Sequence, residues 1–93
     1  MKKRMYWNRI TDAVQLHGEP LPGVSLVEIA GDSRVLIERH LGVTKYEREQ
    51  ICVKTRFGCI FVEGCNLTVT EMTHTQLVIT GRIASVTLKR GNG

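Results

Sequence analysis

Residues 50–70, QICVKTRFGCIFVEGCNLTVT, decide the fold. Ile51, Val53 and Thr55 alternate with Cys52, Lys54 and Arg56. After Phe57-Gly58, Ile60 and Val62 alternate with Cys59, Phe61 and Glu63; after Cys65-Asn66, Leu67 and Val69 alternate with Thr68 and Thr70. Successive side chains of a strand point to opposite faces. An aliphatic set at period two, interrupted by turn residues, therefore predicts half-buried antiparallel strands.

The register follows from the loops. With Phe57-Gly58 as a two-residue loop, Thr55 faces Ile60, Val53 faces Val62 and Ile51 faces Gly64, and every aliphatic side chain lies on one face. With Cys65-Asn66 as the next loop, Val62 faces Val69. The opposite face then collects Cys52, Lys54, Arg56, Cys59, Phe61 and Glu63. That mixed face is to be covered by the N-terminal helix, by other strands or by a partner. Lys54, Arg56, Phe61 and Glu63 are its candidate partner-binding residues.

Outward from this stretch the pattern continues. Strands are expected at 24–30, 34–39, 43–46, 51–56, 59–64, 67–71, 76–83 and 86–89, with turn signals every eight to ten residues or so. The expected fold is all-β: a small antiparallel sandwich or rolled meander of about seven to eight short strands, preceded by a short amphipathic helix. A weak repeat supports the meander. Val27 and Ile29 lead to Gly31 and then Val35 and Ile37; Ile60 and Val62 lead to Gly64 and then Leu67 and Val69; Leu77 and Ile79 lead to Gly81 and then Val86 and Leu88. A stacked solenoid is the alternative source of such a period.

The N-terminal helix is expected over residues 5–16, with Tyr6, Ile10, Ala13, Val14 and His17 on one side and Arg4, Asn8, Thr11 and Gln15 on the other. Gly18 and Pro20 end it. Three parts result: a basic helix or tail over 1–18, a proline-containing connector over 19–23, and a β domain over 24–90. The chain has 93 residues, enough for one domain with a modest core, so a homo-oligomer is a candidate state.

Hydrophobic content of 42% and charged content of 24% are ordinary for a globular domain. The net charge of +4 is concentrated at the ends. Lys2, Lys3, Arg4, Trp7 and Arg9 are the candidate contacts to an anionic membrane or nucleic acid. The MKKR start is followed by Tyr-Trp-Asn-Arg rather than an apolar run, so a secretion signal is not expected. No stretch approaches the ~20 apolar residues of a membrane-spanning helix. A soluble, cytoplasmic protein in a reducing compartment is the expectation.

Chemistry is sparse. Cys52, Cys59 and Cys65 match no zinc spacing, and His17, His40 and His74 fall in separate turns; small buried hydrophobes is the preferred reading of the cysteines. Glu38-Arg39-His40 lacks a converging nucleophile or second acid, and reads as a hairpin end with its turn. No phosphate loop, dinucleotide fingerprint or hydrolase elbow occurs in the sequence. Lys54, Phe61 and Arg56 share a face, but few aromatics and Glu63 make a poor base-stacking platform, so nucleic acid is not the expected ligand. No enzyme activity, cofactor, metal or small-molecule substrate is expected.

The order of motifs carries more than any one of them. Ile37-Glu-Arg-His-Leu-Gly-Val43, then Tyr46, Ile51-Cys-Val53-Lys-Thr55, Gly58-Cys-Ile60-Phe-Val62-Glu-Gly64, Leu67-Thr-Val69 and Ile79-Thr-Gly81-Arg-Ile83, resembles the YabP/YqfC family of sporulation proteins, its YqfC branch in particular. The resemblance runs from about Trp7 to Leu88; Arg39 stands where the family pattern has Asn. It implies a small β domain made in the mother cell of endospore-forming bacteria, with no catalytic residues. It also implies a place at the membrane around the forespore, in spore envelope assembly, with a YqfD-like membrane protein as candidate partner.

Overall fold

The computed structural model describes residues 23–91. Six antiparallel strands form one sheet: β1 Leu26–Ala30, β2 Arg34–Glu38, β3 Val43–Tyr46, β4 Gln50–Thr55, β5 Gly58–Met72 and β6 Gln76–Arg90, in the order β1-β2-β6-β5-β4-β3. No helix occurs among the described residues. The helix expected over 5–16 lies outside them.

The all-β, antiparallel expectation holds, but six strands stand where seven or eight are expected. β5 and β6 are each 15 residues long and unbroken. Cys65-Asn66 is not a hairpin loop. Asn66 takes φ 53°, and the β5–β6 register shifts at Glu63/Gly64, Cys65/Thr68 and Val69/Glu71. Residues that favour turns here make bulges that bend a continuous strand.

The first hairpin is also corrected. Thr55 pairs with Gly58, Val53 with Ile60 and Ile51 with Val62, so the loop is Arg56-Phe57. Gly58 belongs to the strand because β6 crosses close beside it: a Cβ there would strike the carbonyl oxygen of Lys89. The slip is two residues, an even number, so the aliphatic side chains keep their face.

Each long strand serves two parts of the sheet. Residues 76–80 of β6 pair with β2, and residues 58–63 of β5 pair with β4. The bends turn the inner faces of these parts toward one another. Val35, Ile37, Leu67, Leu77 and Ile79 meet Ile51, Val53, Ile60 and Val62 in one core. The result is a single rolled sheet. The second and third units of the weak repeat are β5 and β6, which pair antiparallel with each other, so they do not stack as a solenoid.

Bulges free backbone groups that must find partners elsewhere. The β1–β2 turn supplies some: Gly81 N–H donates to the Ser33 carbonyl at 3.2 Å and Ile83 N–H to the Asp32 carbonyl at 2.6 Å. The β3–β4 turn supplies others: Gly64 N–H donates to Glu49 O at 3.1 Å, Leu67 N–H to Arg48 O at 2.8 Å, and Val69 N–H to the Tyr46 hydroxyl at 2.9 Å.

Candidate functional site

The outer face of β4, β5 and the second half of β6 is built by pairing. Lys45, Cys52, Phe61 and Thr87 form one cross-strand row, and Lys54, Cys59 and Lys89 form the next. Gln50, Glu63 and Ser85 form a third. Period-two alternation brings these side chains out because their neighbours Ile51, Val53, Ile60 and Val62 fill the core.

The face is cationic with one aromatic at its centre. Lys89 Nζ lies 5.8 Å from the centroid of the half-buried Phe61 ring. Cation–π contact at this distance holds the ammonium over the ring. Glu63 occupies the far corner, accepting from Gln50 Nε2 and from Ser85 Oγ, each at 3.4 Å. At the β3 side, Lys45 pairs with Glu47 at 3.8 Å. Cys52 is buried between Lys45 and Phe61, and its thiol is pushed up by that burial, with Lys45 acting in the opposite direction.

Of the four residues expected on this face, Lys54, Phe61 and Glu63 are brought together, whereas Arg56 is not. It sits in the β4–β5 loop with its guanidinium carbon 5.5 Å from the Phe57 ring centroid and its side chain against Gly23. Lys45 and Lys89 join the face although sequence reasoning missed them. Their alternation is visible, but which strands lie beside β4 and β5 is not. Lys2, Lys3, Arg4, Trp7 and Arg9 lie outside the described residues.

A second region gathers at one end of the roll. Gly23, Arg39, Arg56, Met72 and His74 border an open groove of about 700 Å³. His40, read as a turn residue, is buried at its wall. Gly42 N–H donates to His40 Nδ1 at 3.0 Å, so Nε2 carries the proton and donates to the Thr73 carbonyl, also at 3.0 Å. Both ring nitrogens are thereby committed to holding two loops together. Among the described residues, no three His, Cys, Asp or Glu side chains are grouped so as to hold a metal ion.

A broad face with a ring under an ammonium and further lysines around it can receive a macromolecular surface that offers carboxylates and an apolar contact. The family comparison bears on which proteins share this architecture. The model of the YabP family matches residues 23–93. The chain belongs to the YabP family. Membership suggests a sporulation-related role. The match covers all six strands of the described domain. No curated protein and no solved structure matches the chain.

Proposed function

We propose that this YabP-family chain is a non-enzymatic sporulation protein, a binding module acting in the mother cell at the forespore envelope. Its partner is another protein, with a YqfD-like membrane protein as first candidate, and it docks on the outer face of β4, β5 and β6. The observation that carries the docking face is Phe61, half-buried beneath Lys89, with Lys54 on the adjacent strand and Lys45 beyond Cys52. Aromatic residues ringed by charge are the usual anchors of protein interfaces. The mother-cell setting and the envelope rest on the family alone.

The experiment is a deletion in a spore-former, complemented by the wild-type chain or by a Lys54→Glu, Lys89→Glu variant. The deletion is expected to lower sporulation efficiency, and the folded variant to fail both in complementation and in capture of an envelope protein from sporulating cells. Wild-type sporulation in the deletion strain, with no envelope protein captured, refutes the proposal.

A further inference from the structure

The two ends of the roll differ in charge. At one end the β1–β2 and β3–β4 turns meet the bends of β5 and β6 through backbone bonds. That end holds Asp32, Glu47 and Glu49, and its exposed ring, Tyr46, is tied through its hydroxyl to Val69 N–H. At the other end the connecting segments are bonded to one another. Arg39 N–H donates to the Thr75 carbonyl, Ser25 Oγ to the Arg39 carbonyl, Leu41 N–H to the Lys54 carbonyl and Gly91 N–H to the Phe57 carbonyl. These segments, 23–25, 39–42, 54–58, 72–76 and 89–91, hold Arg39, Lys54, Arg56, Lys89 and Arg90 and not one Asp or Glu. Glu38 and Glu71 come nearest in sequence, each still within its strand, so cations remain in excess. The same end also exposes apolar side chains at three different connections: Leu41 is 62% exposed, Phe57 48% and Met72 54%.

We propose that this end of the roll docks on an anionic phospholipid bilayer. Leu41 and Phe57 enter the headgroup layer, while Lys54, Lys89 and Arg90 meet the lipid phosphates. This is contact with the lipid itself, apart from the protein partner on the outer face.

Charge is the first argument. An anionic leaflet attracts each basic group held within a Debye length of it, by about fivefold in partitioning. The uneven charge also turns this end toward the surface and the turns with Asp32, Glu47 and Glu49 away from it. Shape is the second. The apolar side chains stand on separate connections rather than in one cleft, which suits a fluid interface better than a fixed complementary surface. Aromatic rings favour the headgroup level of a bilayer. The guanidinium of Arg56 lies over the Phe57 ring at 5.5 Å, so that ring is a poor platform for stacking nucleic-acid bases.

The test uses the full chain with vesicles of phosphatidylglycerol and phosphatidylcholine. An environment-sensitive fluorophore is attached at Phe57→Cys or, for comparison, at Glu49→Cys, with Cys59→Ser and Cys65→Ser removing the accessible thiols. Emission from position 57 is expected to rise and shift to shorter wavelength, and emission from position 49 to stay unchanged. In flotation, Arg90→Ser is expected to lower partitioning about fivefold, and Leu41→Ser with Phe57→Ser about tenfold or more. Leu41, Phe57 and Arg90 are outside the rows of the outer face, so the result is independent of the partner proposed there. No change at position 57 overturns the proposal even if the chain floats with the vesicles, because another part of it is then the contact. An equal change at position 49, an equal response to phosphatidylcholine alone, or undiminished flotation of the variants also overturns it. So does a response at position 57 to an oligonucleotide or polyglutamate but not to vesicles, the occupant then being nucleic acid or an acidic protein.

Discussion

The backbone of Gly81 lies against the carbonyl oxygen of Asn66: a Cβ at position 81 would come within 2.6 Å of it. The two residues mark the bends of β6 and β5, and their contact is where the long hairpin folds over its own core. Gly81 also takes φ 141°, a conformation side chains resist. Gly81→Ala is expected to cost about 1–3 kcal/mol. Gly31→Ala, at φ 57° in open space, is expected to cost about 1 kcal/mol. Urea denaturation of the two variants checks the order.

Leu67 enters the core immediately after the β5 bend and is 2% exposed, whereas its neighbour Thr68 faces solvent. Leu67→Ala is expected to destabilise by about 2–5 kcal/mol, and Thr68→Ala by no more than about 0.5 kcal/mol. Equal effects in thermal melts would contradict the place of Leu67 in the core.

His40→Ala removes both partners of a buried bridge and leaves the Gly42 N–H and the Thr73 carbonyl without their partner. A loss of about 1–3 kcal/mol is expected. His40→Gln keeps a donor for Thr73 but not the acceptor for Gly42, so an intermediate loss is expected. Equilibrium unfolding of the pair decides between a bridging and a merely space-filling ring.

The three thiols differ in exposure: Cys52 is buried, Cys59 intermediate and Cys65 exposed. Burial raises the Cys52 pKa, so at neutral pH its reactive thiolate is the rarer form. Alkylation of the native chain is expected in the order Cys65, Cys59, Cys52, read by mass spectrometry. The sign for stability follows. Cys52 adds stability that is full below the unfolded thiol pKa, near ~8.5, and that is lost as pH rises through the higher folded value. Cys52→Ala should flatten the alkaline side of the stability curve.

The inner and outer faces were legible because alternation is a local property. Ile51, Val53, Ile60 and Val62 are core residues on the pattern alone, and a two-residue slip cannot change that. Strand continuity was not legible. Cys65-Asn66 offers the same chemistry to a hairpin and to a bulge, and the choice depends on Gly81 and the β3–β4 turn, distant in sequence. Arg56 was misplaced for a related reason. The need for glycine at 58 comes from β6 passing beside it, and only that contact moves the loop back to Arg56-Phe57. The role of His40 was hidden because both of its partners are backbone groups, one of them on a remote turn.

The pairing of β2 with β6 has a consequence for synthesis. Of the six strands, those of the β1–β2 hairpin are made first, but the strand beside β2 is made last. Val35 and Ile37 therefore wait for Ile79 and Leu77 until nearly the whole domain has emerged. A two-stranded ribbon alone is at best marginally stable in water. Folding of this domain thus waits on β6, and a nascent chain stalled before residue 76 presents its apolar hairpin to chaperones rather than to its own core.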